Sequence, residues 1–476
     1  MKFLEENIRS DLKSNITFFN NVLNVNKNFD IVYRVVRFGE REACFYFVDG
    51  FLKDEMLQKM LQYFNSITKE DMPDNAHEMS KLFMPYGEVD LLPDWEGILK
   101  NLLSGITMMF IDGYSECIAI DCRSYPMRSV SEPEKDKVLR GSKDGFVETL
   151  VYNTALIRRR IRTPELTMEI KSIGESSKTD IVLCYMENRV NKEFLNQVIK
   201  RLDSIKVDAL TLNQESLAEC LYQYKWYNPF PKFKFSERPD TAAAQILEGN
   251  IVILVDNSPS CIILPTSVFD IIEEADDYYF PPITGTYLRL TRYGIAVITL
   301  LLTPLWLLFV NHPEWLPAWL QFTVIHDEIN VPIILQLLIL EFAIDGLKLA
   351  AVNTPSMLST PLSVITALVL GEFSVKSGWF NSEAMLYMAF VAVANYTQQS
   401  YELGYALKFL RMILLILTHF FGIYGFVGGI ILTVVLLATN KTISGSGYFY
   451  PVIPFNLKEF GKRLIRRRLK FEEKQW

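Results

Sequence analysis

MILLILTHFFGIYGFVGGIILTVVLLAT, residues 412–439, runs for 28 residues without an Asp, Glu, Lys or Arg. Roughly 20 apolar residues in a helix cross a bilayer core of about 30 Å. A helix on the core of a soluble protein needs only one apolar stripe. Upstream, YGIAVITLLLTPLWLLFV (293–310) is a second uncharged run, and SMLSTPLSVITALVLG (356–371) and AMLYMAFVAVANYT (384–397) are shorter ones. From 293 to 440, 12 of 148 residues are charged, against 77 of the first 280. That break is a change of solvent, and in lipid backbone amides find partners only within their own helix or in a closed barrel. The fold class expected is an α/β cytosolic region of two small lobes followed by an all-α polytopic membrane domain. The lobes fall at 1–125 and 146–280 around a linker at 126–145, with the helical domain at 281–455 and a basic tail at 456–476.

The formal charge of −7 conceals an asymmetry. The first 280 residues hold 33 basic and 44 acidic side chains, whereas NLKEFGKRLIRRRLKFEEKQW (456–476) alone holds eight Lys or Arg. An acidic soluble half argues against nucleic acid, which needs a basic surface. The opening MKFLEENIRSDLKSNI has no apolar core, so it predicts no secretory signal and a cytoplasmic location for the first 280 residues. Arg289 and Arg292 stand just before the first run, and Arg466, Arg467 and Arg468 follow the last. By the bias of basic residues toward the cytoplasm, both flanks belong on that side, and an even number of crossings follows. The four uncharged runs, the last taken as about 420–439, satisfy it. The tail also suits contact with anionic membrane lipid. The six cysteines form no CxxC and have no histidine at metal spacing, so reduced thiols and no metal or cofactor are expected.

Along the soluble half, SDLKSNITFFNNVLNV has helical spacing, YRVVRFGEREACFYFVDG reads as a hairpin, and FLKDEMLQKMLQYFNSI as an amphipathic helix. ILKNLLSGITMMFIDGYSECIAIDC gives a helix and two strands about an Asp-Gly turn. RSYPMRSVSEPEKDKVLRGSKDG (123–145) reads as linker. A helix over 145–160 then ends in Arg158, Arg159 and Arg160, either an anion site or a solvated end favoured by the helix dipole. LTMEIKSIG, KTDIVLCYME, VNKEFLNQVIKRLDSI and DALT alternate strand and helix in a βαβ manner. Neither lobe carries GxGxxG, GKS or GKT, HExxH or GxSxG, so no catalytic site is read and no enzyme is expected.

RGSKDGFVETLVYNTALIRRRI (140–161), SERPDTAAAQILEGNIVILVDNSPSCIILPTSVFD (236–270) and DDYYFPPITGTYLRLTRY (276–293), in this order, resemble signature stretches of the GerA-family spore germination proteins of A-subunit type. The resemblance implies a multi-pass protein of the inner spore membrane that joins a two-lobed cytosolic domain to a membrane domain. It further implies a homo-oligomeric ring, with five copies the family expectation, that conducts ions during germination beside other germination membrane proteins. One departure stands out. Where many relatives carry a stretch like RPIGQAVSIVGGLVIGQ, this chain has TPSMLSTPLSVITALVLGE, with Glu372 in place of a common Gln. That points to a branch acting downstream of, or beside, the nutrient receptors.

Charges inside a membrane are costly and mark candidate sites. In VPIILQLLILEFAIDGLKLAAV, spacings of four and three place Glu341, Asp345 and Lys348 on one helix face. That face either lines water, with acidic rings attracting cations in an oligomer, or lies flat in the interface. Glu372 and Lys376 read as a boundary ion pair, and Lys408 and Arg411 as side chains snorkelling to the interface. Gly422, Gly425, Gly428 and Gly429 form either a helix-packing seam or a bend. The leading expectation is an ion channel, or a subunit of one, gated through the lobes; the rival is a non-conducting receptor or scaffold.

Overall fold

The computed structural model describes residues 8–84, 88–123, 136–223, 225–325, 327–355, 364 and 366–466. The chain divides into two compact units, Met1–Gln223 with Phe233–Pro265, and Tyr224–Lys232 with Thr266–Trp476. The helical unit therefore begins at Thr266, ahead of the change in composition, and takes a short piece out of the second lobe.

The first unit holds two lobes. In the first, α1 (Leu12–Leu23), β1 (Ile31–Phe38) and β2 (Arg41–Val48) precede α2 (Asp54–Phe64) and α3 (Ala76–Leu82). There follow β3 (Val89–Leu92), α4 (Trp95–Leu102), β4 (Thr107–Ile111) and β5 (Cys117–Ile120). The second lobe begins with α5 (Leu150–Arg160), β6 (Leu166–Ile173), β7 (Thr179–Met186), α6 (Lys192–Asp203) and α7 (Gln214–Leu221). It ends with β8 (Lys234–Ser236), α8 (Pro239–Leu247), β9 (Ile251–Val255) and β10 (Cys261–Leu264). Element order is the same in both, and so is sheet order: β1-β2-β4-β5-β3 and β6-β7-β9-β10-β8. The first unit is thus one α/β topology used twice.

Every strand pairing in both sheets is antiparallel, which corrects the βαβ reading of the second lobe. β6 returns directly as β7 through a short turn at Gly174 (φ +98°), leaving no crossover long enough for a parallel pair. Helices cover both faces of the first sheet. Cys44, Tyr46, Met108 and Phe110 face α1 and α4, while Phe45, Met109, Ile111 and Ile118 face α2 and α3. This explains why β4, TMMFI, is buried at every residue instead of alternating. The buried thiols are core side chains; burial pushes the Cys44 thiol up to about 12.

Arg158 is neither an anion site nor a solvated helix end. Its guanidinium is fully buried and donates to both carboxylate oxygens of Asp30, at 2.7 and 3.0 Å. It also donates to the carbonyls of Thr163 and Leu166. Asn28 and Phe29 bond Met168 beside this pair, so the strand entry of one lobe is tied to that of the other. Half of the supposed linker is likewise held: Arg238 donates to the Ser142 carbonyl at 3.0 Å, and Asp144 pairs with Arg160.

The helical unit comprises α9 (Val268–Ile272), α10 (Asp276–Tyr279), α11 (Pro282–Asn311) and α12 (Ile333–Asn353). A π-helical turn (Ala367–Phe373) leads into α13 (Ser374–Lys376), α14 (Ser382–Tyr396), α15 (Tyr401–Thr439) and α16 (Leu457–Leu464). Among the described residues, α11 and α15 are long and apolar enough to cross a membrane. Most of the 356–371 run lies outside the described residues. Trp306, late in α11, packs with Ile333 at the start of α12, Ala384 early in α14 and Leu415 midway in α15. Tyr293, early in α11, and Leu436, late in α15, both pack against the buried cluster that contains Leu403. The starts of α11 and α15 and the finish of α15 therefore share one end of the bundle.

That arrangement requires α15 to double back, and it does so at Gly422, whose φ of 54° and ψ of −134° are non-helical. Only glycine tolerates that region. The arms, 401–421 and 423–439, measure about 31 and 25 Å at 1.5 Å per residue, each of the order of a bilayer core. A Cβ on Gly425 would overlap the Leu417 carbonyl, and one on Gly429 the Leu414 side chain, whereas Gly428 faces open space. The seam is thus internal to one chain, and Gly422 is the bend. Gly429→Val is expected to lower the thermal midpoint of the detergent-solubilised protein by the equivalent of about 1–3 kcal/mol of overpacking. Gly428→Val, measured in parallel, should leave it unchanged; equal losses would remove the seam.

Candidate functional site

Between its end turns α12 is apolar except for one face, and α15 brings a matching one. Lys408 and Arg411, three residues apart in ALKFLRMILLIL, meet Glu341 and Asp345 side by side. Arg411 Nε and Nη2 donate to the two Glu341 oxygens at 2.7 and 2.8 Å, a bidentate pair. Its Nη1 donates to the Thr299 carbonyl of α11 at 2.8 Å. Lys408 Nζ donates to the Glu341 carbonyl at 3.0 Å and to the Asp345 carboxylate. One cluster therefore pins three helices, and its centre is buried: Glu341 is 1% and Arg411 2% exposed.

Lys348 completes the layer one turn on. Its ammonium lies 4.8 Å from the Tyr396 ring centroid and 5.6 Å from that of Tyr405, within cation–π range. Three cations thus stand against two carboxylates. Asp345 Oδ1 is buried without a hydrogen-bond partner among the described residues, so the layer is not fully satisfied.

The placement changes the reading of two residues. Lys408 and Arg411 do not snorkel to a boundary; α15 begins at Tyr401, so both lie two to three turns inside it. Counting the apolar run from Met412 concealed this. Nor does Glu341 present a bare carboxylate, since both its oxygens are taken by Arg411. Glu372 and Lys376 do pair, at 2.5 Å, as an exposed i,i+4 contact.

A second ionic group gathers at the end where α11 starts. Arg289 binds Glu273 at 2.8 Å and Asp277 at 3.0 Å, and Arg292 binds Glu274 at 2.8 Å as well as Asp277. From α16, Arg463 binds Asp270 at 2.5 Å and Glu273 at 3.2 Å, and just past that helix Arg466 donates to the Tyr278 carbonyl at 2.7 Å. Arg289 also reaches the Lys462 and Arg463 carbonyls. The basic residues on the two flanks, read as topology signals and, in the tail, as a lipid contact, form a collar with an acidic stretch that the sequence reading passed over. Arg467 and Arg468 lie outside the described residues. Among the described residues no three His, Cys, Asp or Glu side chains gather as a metal site would require.

The family model described as Bacillus/Clostridium GerA spore germination protein matches residues 19–475. The chain belongs to the GerA family. Among GerA relatives, the stage V sporulation protein AF of Bacillus subtilis (strain 168) is 36% identical over 467 residues, covering 97% of this chain and 94% of that protein. Spore germination protein KA of the same organism is 26% identical, covering 93% and 82%. The crystal structure of the N-terminal domain of the A subunit of the Bacillus megaterium spore germinant receptor GerK3 is similar at 25% identity. It covers 54% of this chain and 96% of that one with a TM-score of 0.41. This is a spore germination and sporulation protein whose helical part suits membrane association.

Breaking one half of a buried pair strands the other charge, at about 3–5 kcal/mol. Glu341→Ala and Arg411→Ala are each expected to destabilise the helical unit on that scale in thermal unfolding. Glu341→Leu combined with Arg411→Met should recover most of the loss; additive losses would show that the two residues do not act as a pair.

Proposed function

We propose that this GerA chain is an ion-conducting subunit of the germination apparatus of the spore. Its helical unit crosses the inner spore membrane several times, and both flanks lie on the core side. The observation that carries the reading is the charged layer of Glu341, Asp345, Lys348, Lys408 and Arg411 within an otherwise apolar bundle. Charges at that depth are expensive, and helix packing alone does not call for them. Ion pairing relieves most of the cost and leaves two groups open to change: Asp345, with an unbonded oxygen, and Lys348, which has no carboxylate of its own and rests on the Tyr396 and Tyr405 rings and the Asn395 side-chain amide. In a ring of copies, these two are the groups that a water-filled path would meet.

Sidedness rests on the collar. The start of α11 and the Arg463–Arg466 stretch meet at one end of the bundle, and both are basic. Other membrane proteins of germination are the partners expected beside it, and membrane lipid its solvent. A second reading, a non-conducting scaffold, draws on the bidentate closure of Glu341 by Arg411, which by itself is a dry structural lock.

Reconstituted into liposomes, the protein is expected to release trapped monovalent cations. Asp345→Asn should alter the cation-to-anion selectivity, and Glu372→Gln, in an exposed pair, should not. Mass measurement in detergent should give a closed oligomer. A closed oligomer with no flux would favour the scaffold.

A further inference from the structure

Residues 225–232, KWYNPFPK, leave the second lobe between α7 and β8 and belong to the helical unit. Their base is clamped. Phe230 is buried with Phe269, Leu403, Leu407 and Tyr448, its ring centroid 6.1 Å from that of Tyr448. Lys232 Nζ donates to the Asn440 side chain and, at 2.7 Å, to the Lys441 carbonyl, and lies 5.4 Å from the Tyr448 ring centroid. Asn440 is the residue that ends α15, so this finger is anchored where an apolar, bilayer-length arm gives out.

Its tip is the opposite of its base. Trp226 is 96% exposed and Tyr227 51%, the two rings stand edge to face at 6.0 Å, and Lys225 Nζ lies 5.8 Å from the Tyr227 ring centroid. A bare indole is poorly placed in water. Indole and phenol rings with a lysine beside them, a few residues along the chain from a base bound at the end of an apolar helix, have the composition of the headgroup layer of a membrane. Tyr287, exposed in the early turns of α11, lies toward the same end of the bundle.

We propose that the tip of this finger, Lys225, Trp226 and Tyr227, is a lipid-interface anchor, with the two rings at the boundary of headgroup and hydrocarbon and the ammonium against anionic lipid phosphate. The proposal rests on the membrane reading above. The finger is the one part of the segment between α7 and β8 that lies in the helical unit, so the anchor gives the second lobe a covalent tether to the bilayer surface independent of α9 and α10.

The test uses the full chain in phosphatidylglycerol vesicles whose acyl chains carry bromine either close to the headgroup or near the chain middle. The emission difference between the wild type and Trp226→Phe isolates one of the seven tryptophans. Because Trp226 packs on so little, the substitution leaves the fold intact. The difference spectrum is expected to be blue-shifted, quenched most by the shallow bromines, and shielded from aqueous acrylamide. Emission quenched by acrylamide and untouched by bromine would overturn the anchor and place the ring in water. Emission quenched by neither would overturn it in favour of a protein partner, a second copy included. The remaining tryptophans are the internal reference: their quenching by bromine shows the helical unit embedded, so that loss of the Trp226 signal alone refutes the anchor. Failure of both refutes the membrane reading with it.

Discussion

The ion pair of Arg411 with Glu341 is the contact on which the helical unit depends. α11, α12 and α15 are apolar helices, and apolar surface in lipid gives no preference for one neighbour over another. A guanidinium fixed by two carboxylate oxygens and a third helix's carbonyl does, because few arrangements satisfy all of its donors in a dry place. Direction follows as well. Lys408 sits one turn before Arg411 and reaches Asp345 one turn after Glu341, so α12 and the first arm of α15 can pair in only one sense and register. The cost of burying the group is offset by specificity more than by net stability.

The two-lobed unit uses the same device differently. Asp30 and Arg158 come from equivalent regions of a repeated topology, the entry to the first strand of one lobe and the end of the first helix of the other. Their pairing, together with Asn28 on Met168, turns two similar lobes into one body. Within the helical unit a charged collar repeats it, where Arg289 and Arg463 share Glu273. Three times, then, the protein marks a join with arginine and carboxylate.

Much of this was legible in the residues. The charge vacuum after Tyr293 gives the helical half, the Asp-Gly and Gly-Glu turns give hairpins, and the four- and three-residue spacings put Glu341, Asp345 and Lys348 on one face. What could not be read was pairing at a distance. Arg411 lies 70 residues from Glu341, and Arg158 lies 128 from Asp30. No local pattern encodes such partners. Lys408 was misplaced because Glu402 and Lys408 interrupt the apolar run and hide the true start of α15. The antiparallel second sheet was missed because helices between strands suit either sense of pairing. The recurrence of element order escaped because TMMFI and IVILV, at equivalent positions, share little beyond being apolar.

Gly422 carries a corollary for how this chain can vary. With one residue making the reversal, the hairpin has no loop in which to absorb a length change. An insertion or deletion between Leu414 and Gly429 slides Gly425 and Gly429 off Leu417 and Leu414 and drives a side chain into a backbone. The two arms are therefore bound to drift in step, lengthening or shortening as a matched couple. Length can change freely only toward Tyr401 and Thr439, never at the tip.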